Sequence, residues 1–451
     1  MEERLEQMLD GLNKPVTKEV LEKLIYCMFC FAIFITPVIP ELKRIGIYSL
    51  KATLFNFATI FTTISLLIIN IKKIKFKFNI YNILMVTYLV LVVLSTIFTK
   101  YGIVDCILGK NGRGEGLITI FSYIMTLVIF SNGFKYMKGI SKVAIFSALV
   151  ISIYAILQAN VIPGLEISIL PKSPTNIATG TMRNQNFLSS YVCMLLPMTS
   201  LYYINATKNK IQSLIISAFM FMTLILAVTL GGYVTFVAMY IAVITVSLIF
   251  NKNKKETIKR IIIISLVFIV IFVLLTLLNG ETYFKELFGA TQEVQHLMDG
   301  DDSFGTSRME IWRKTIMVIQ KYPLLGVGPD SLWLELSNRE YITNGKQDIL
   351  SNYIVDKAHS EPLHMAVTTG IPSAVIYLVL ATLICLGLLK ESFKGIKEEG
   401  IASEKTMYKT LVLTSILSYL MQSMINISVV QVAPMFWAIL GTGLGIVQDK
   451  E

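Results

Sequence analysis

The chain has 451 residues, 54% of them hydrophobic and 16% charged, with a formal net charge of +10. Soluble domains carry about 25% charged residues. The composition therefore excludes an ordinary soluble protein and predicts an all-α polytopic membrane protein, because a chain in lipid must satisfy its backbone hydrogen bonds within helices. Most of the Lys and Arg excess lies in short segments between apolar runs, the usual topology signal, so nucleic acid is not an expected partner.

Residues 1–22 are polar and of mixed charge, without the basic start and small-residue cleavage site of a signal peptide. They are expected to be a cytoplasmic N-terminus. Residues 23–279 then hold nine apolar runs of about the 20 residues needed to span a bilayer: 23–41, 50–71, 79–99, 115–133, 142–161, 186–205, 211–230, 232–250 and 261–279. Cys27 and Cys30 form a C-x-x-C inside the first run, where they read as small apolar helix residues rather than redox or metal chemistry. No zinc spacing, phosphate-binding loop or dinucleotide fingerprint occurs.

Residues 280–361 are the one extended polar break, an expected large extracytoplasmic loop between spans 9 and 10. It opens on the acidic, Gly-containing segment 280–305, which ends in Met298–Gly305, where Asp299, Asp301 and Asp302 are candidates for weak cation binding. Thr306–Pro323 follows as an amphipathic helix. Ser307 and Glu310 are placed as a capping box, Met309, Trp312, Ile316 and Ile319 share one face, and Pro323 ends the helix. Gly326-Val-Gly328-Pro329-Asp330 reads as a turn. The loop closes on Val355-Asp-Lys-Ala-His359-Ser360-Glu361, which runs straight into an apolar segment. Residues 362–451 supply three more spans, 362–389, 408–428 and 430–448, and a short cytoplasmic tail.

With the N-terminus inside, 24 of the 40 Lys and Arg fall in inner segments and 8 in short outer loops. The remaining 8 lie in the long loop, and long loops do not set orientation. Both termini are then cytoplasmic, and the polar segments 100–114, 162–185 and 280–361 all lie outside.

Outer arginines with one His at a membrane surface fit a site that holds an anionic group while a hydroxyl is activated. Arg forks pair bidentately with phosphate oxygens, and a neutral imidazole takes a proton from an alcohol. Arg308 as a lipid-phosphate contact and His359 as a hydrogen-bonded helix-start residue are the alternatives. His364, five positions on, is roughly 140° round a helix from His359 and reads as structural; His296 falls in the acidic segment.

Val355–Leu378, with a His-Ser opening a span that leads into Gly370-Ile-Pro372, resembles the signature of the O-antigen ligase and polymerase family of bacterial envelope glycosyltransferases. Ser307-Arg308-x-x-x-Trp312 with Pro323-x-x-Gly326-Val-Gly328 is similar to that family's Arg-bearing loop helix. Gly112-Arg113-Gly114-Glu115-Gly116-Leu117, Gly180-Thr-Met-Arg183-Asn184-Gln185-Asn186 and Gln422–Ser428 with Pro434–Trp437 resemble three further family segments. The five occur in order over roughly residues 100–445. Two positions depart from the pattern. Leu230-Gly231-Gly232-Tyr233 stands where the family often has Ser-Arg-Gly, and Asn-Gln-Asn replaces Asn-Pro-Asn, with Arg183 just before it as a candidate replacement charge.

The resemblance implies a metal-independent and cofactor-free transfer of a glycan from a polyprenyl diphosphate carrier to a hydroxyl of a lipid, glycan or protein acceptor, on the outer face of the bacterial cytoplasmic membrane. It makes His359 and Arg308 catalytic, and Arg113, Glu115, Arg183, Asn186, Ser360 and Glu361 substrate-binding. A polymerase of polyprenyl-linked repeat units is the nearest alternative. A lipid-linked glycan flippase would need charges buried mid-span and no dedicated outer loop, the reverse of this pattern; a purely structural membrane protein is the third alternative.

Overall fold

A computed structural model describes residues 15–40, 49–70, 78–109, 113–133, 139–160, 177–279, 289, 298, 304–337 and 355–449. His296, Asp299, Asp301, Asp302 and residues 1–14 lie outside the described residues. Among those described the chain is all-helical, with no strand.

The predicted spans 1 to 9 coincide with α1 (Pro15–Val38), α2 (Leu50–Asn70), α3 (Ile80–Ile97), α5 (Leu117–Asn132), α6 (Ile140–Ala159), α7 (Gln185–Asn205), α8 (Lys210–Leu226), α9 (Leu230–Phe250) and α10 (Lys254–Asn279), with a short α4 (Ile103–Leu108) before α5. The polar break carries α11 (Phe304–Lys321) and α12 (Leu332–Leu336). After it come α13 (Glu361–Thr369), α14 (Ile371–Glu398), α15 (Glu404–Ser423) and α16 (Ala433–Gln448). Eight of these helices are long and apolar enough to cross a membrane, and α5, α8 and α16 are apolar but only 16 or 17 residues long. Leu, Ile, Val and Phe side chains cover the outer surfaces of α2, α3, α9 and α10, for instance Phe57 at 70% and Leu277 at 76% exposure. Such surface fits lipid rather than water.

The centre of the bundle is α7, packed by α6, α8, α9, α10 and α15. Asn184 caps its start, its side chain accepting from the amides of Asn186 and Phe187. Asn426 donates from Nδ2 to the Asn186 carbonyl at 3.0 Å and to Ser190 Oγ at 2.7 Å, tying the α15–α16 connection to the same helix end. Trp437 of α16 stacks on Tyr123 of α5 at 6.0 Å between ring centroids. A Cβ at Gly232 would lie 2.6 Å from Thr229 Oγ1 and 3.1 Å from Ser189. The close approach of α9 to α7 thus leaves no room for a side chain where the family often has an arginine.

Two sequence expectations are corrected. The tenth span does not begin as one helix at residue 362, because α13 and α14 are separate helices broken at Gly370, whose φ of 92° is left-handed. A Cβ there would stand 2.0 Å from the Leu324 carbonyl oxygen. The break lets the 323–328 turn clip onto the end of α13, with the Val327 and Gly328 amides donating to the Val367 and Thr368 carbonyls at 3.0 and 2.8 Å. Gly370→Ala should therefore lower the unfolding temperature of the detergent-solubilised protein or its folded yield, since backbone strain alone costs about 1–3 kcal/mol; an unchanged melting curve would contradict this account of the break.

The capping box is also absent. Helix α11 starts at Phe304, Ser307 lies inside it with φ 68°, and Glu310 pairs with Lys314 at 3.0 Å. Glu310, Ile311, Lys314, Thr315 and Val318 are the buried face, whereas Ile316 on the predicted apolar stripe is 44% exposed. The helix turns its ion pair inward because the ammonium one turn on, itself buried, draws in the carboxylate.

Candidate functional site

The polar break and the ends of the neighbouring helices bring residues far apart in sequence to one place. Arg113 sits in the turn between α4 and α5, and its Nε donates to an Asp356 carboxylate oxygen in an ion pair. The same guanidinium lies over the Phe187 ring in the first turn of α7, 5.5 Å from its centroid, an arrangement that favours cation–π attraction. Three residues beyond Asp356 stands His359. Its φ of 49° is left-handed, and Ser307, which precedes Arg308, has φ 68°. Unusual backbone at both positions fits side chains held in place by their surroundings.

His359 is half-buried, and its Nδ1 has no hydrogen-bond partner among the described residues. Burial pushes its imidazole from 6.5 down to about 4, the Arg308 cation adds to the shift, and Asp356 opposes it more strongly than Arg113 reinforces it. The ring is therefore uncharged at neutral pH and gains its proton only as the pH falls through that value. Arg308, Asp356 and Arg113 thus each act electrostatically on His359, and Arg113 pairs with Asp356: two cations able to bind an oxyanion, one carboxylate already engaging a cation, and one neutral imidazole able to accept a proton.

The other predicted site residues are placed differently. Ser360 is buried as the N-cap of α13, making no side-chain cap bond. Glu361 is 1% exposed and accepts from the Tyr377 hydroxyl at 3.3 Å. Glu115, 7% exposed, accepts from the Tyr123 hydroxyl at 3.1 Å and from the Val430 amide at 2.6 Å. Both carboxylates turn inward. Asn186 is half-buried in the first turn of α7, next to Phe187. Arg183 is exposed at the end of a 3-10 turn, Gly180–Met182, with φ 55° and its charge near Tyr154. His364 is half-buried, and Lys357 approaches its Nε2 at 3.2 Å.

Asp356, Phe187, Asp330 and Lys357 escape the sequence reading. Lys357 is 1% exposed and pairs with Asp330 at 3.0 Å, which fastens the His359 segment to the turn after Gly328. The available signal was Asp-Lys immediately before an apolar run, where an ionisable pair is costly unless it has partners. Among the described residues no three His, Cys, Asp or Glu side chains are grouped so as to hold a metal ion.

No curated protein matches the chain. Residues 215–378, roughly a third of the chain, match the family model described as O-antigen ligase, a stretch that runs from α8 through the polar break into α14 and carries both Arg308 and His359. By that match this part of the chain is similar to the O-antigen ligase family.

Proposed function

We propose that the protein is an O-antigen ligase-like glycosyltransferase that moves a glycan from a polyprenyl diphosphate carrier to an acceptor hydroxyl on the outer face of the cytoplasmic membrane. The observation that carries this reading is the convergence of Arg113, Arg308 and Asp356 on the neutral His359. The acceptor oxygen attacks the anomeric carbon, the bond from that carbon to the diphosphate oxygen breaks, and configuration inverts. Arg308 and Arg113 hold the departing diphosphate. A preorganised clamp of this kind is worth about 10²–10³-fold in rate per donor. His359 takes the proton of the hydroxyl. Its low proton affinity in the free site rises when the diphosphate offsets the two guanidinium charges, so donor binding itself makes the imidazole a better base. No divalent metal is assigned a step.

Twelve crossings, with both termini and the 390–409 connection inside, complete the reading; the helices α13 and α14 share the tenth. Cysteine-accessibility labelling tests it. A Cys introduced at position 300 should react with an impermeant reagent added from outside and one at position 400 should not; the opposite pattern would remove the outward-facing site. Transfer from a purified lipid-linked glycan, offered with and without candidate acceptors, tests the activity and separates ligase from polymerase, since only a polymerase lengthens the donor glycan when no other acceptor is present.

A further inference from the structure

Lys357 and Glu361, two residues to either side of His359, line a buried chamber of about 50 Å³. Tyr88 of α3, Glu115 and Tyr123 at the head of α5, Asp330 from the loop and His364 of α13 line it too. Tyr377 of α14 bonds Glu361, and the Tyr419 and Ser428 hydroxyls also face that carboxyl.

The charges in this chamber do not balance. Lys357 is its one ammonium, and it donates to His364 Nε2 and pairs with Asp330, so the imidazole beside it is neutral. Against it stand three carboxyls, Glu115, Asp330 and Glu361. Asp330 has the ammonium in contact, though burial still raises its carboxyl above the usual range. Glu115 has a backbone amide, the Tyr123 hydroxyl and the field of Lys357, yet burial still raises its carboxyl to about 7. Glu361 has only neutral hydroxyl donors. Burying an unpaired carboxylate is costly enough that such a group takes up a proton instead.

A second observation points to a ligand. Asp330 Oδ2, Glu361 Oε2 and His364 Nδ1 have no hydrogen-bond partner among the described residues, although Asp330 and Glu361 are only 3% and 1% exposed. A polar space of this size holds water wherever two to four polar groups converge, about 10–15 Å³ being enough for one molecule.

We propose that the chamber is a water- and proton-binding site, in which Glu361 is a carboxylic acid at neutral pH and ordered water joins it to Asp330. The site lies beneath the segment that carries Asp356 and His359 and holds the first turn of α13 by neutral contacts. It does not depend on the transferase reading.

Infrared spectroscopy of the purified full-length protein in detergent tests the proposal. At pH 7 the wild type should show the C=O stretch of a protonated carboxylic acid, and the band should shift in D2O as solvent exchanges into the chamber. Glu115→Gln removes the other raised carboxyl of the chamber and should keep a band; in that background Glu361→Gln should remove it and Asp330→Asn should leave it in place. Absence of the band in the wild type, its loss in Glu115→Gln, its persistence when Glu361→Gln is added, or its loss in Asp330→Asn would overturn the assignment; a band that does not shift in D2O would overturn the water. Should the Glu361→Gln variant fail to fold, Glu115→Gln decides, since it must keep the band.

Discussion

Replacing His359 by Ala should lower glycan transfer by about 10²–10⁴-fold, the usual contribution of a positioned base, while a polyprenyl diphosphate analogue binds as before. The separation follows from the geometry. In the proposed mechanism the guanidinium groups of Arg113 and Arg308 carry the attraction for the diphosphate, and His359 contributes a proton acceptor without charge. Removing it also removes an imidazole that resists protonation, so the variant should not lose its fold at neutral pH. The pH profile gives the same assignment independently. His359 is held at about 4 in the free site, so kcat/KM should fall as the pH drops through that region. The acid limb of kcat, which reports the donor-bound site, should lie at higher pH, because the bound diphosphate stabilises the imidazolium. Coincident limbs, or loss of donor binding in His359→Ala, would return His359 to the role of a helix-start residue. His364→Ala should act by another route, through the lost Lys357 contact at 3.2 Å, and should depress folding yield more than the chemistry of folded enzyme.

Arg308→Lys should lose most of the activity despite keeping the charge. A guanidinium presents a rigid fork that meets two phosphate oxygens, and an ammonium cannot reproduce it. One hydrogen bond to a charged group is worth about 1.5–3 kcal/mol, so a loss of roughly 10–100-fold is expected, appearing in donor affinity as well as turnover. Arg308→Ala should cost more. The same reasoning applies to Arg113, with one difference: its side chain is engaged by Asp356 before any substrate arrives. Asp356→Asn should free that guanidinium and tighten donor binding, while lowering the stability of the 355–360 segment. Wild-type turnover in Arg308→Ala would reduce Arg308 to a lipid contact.

The helices were legible because apolar runs of span length have few other structures open to them in lipid. The break at Gly370 was less so. Apolar composition continues across it, and only the left-handed backbone at Gly370, with Pro372 just beyond, separates two helices that hydropathy joins. The register of α11 was misread for a related reason. Its inward face is marked by Glu310 and Lys314, and a buried ion pair has the same composition as a solvated one. At the site, His359, Arg308 and Arg113 were visible as ionisable groups beside membrane segments. Asp356 was not, because nothing in its spacing shows that it meets a residue more than 200 positions earlier. Glu115 and Glu361 were visible as residues but not in orientation, since only the packing of Tyr123, Tyr377 and Val430 shows that they point inward.

The central claim is that this chain transfers a glycan off a polyprenyl diphosphate, and reconstitution tests it most directly. The purified protein in lipid vesicles, given a lipid-linked glycan and an acceptor, should release polyprenyl diphosphate in step with the glycan transferred, and His359→Ala should do neither. Transfer by His359→Ala at the wild-type rate, or no release by the wild type with any acceptor tried, would contradict it.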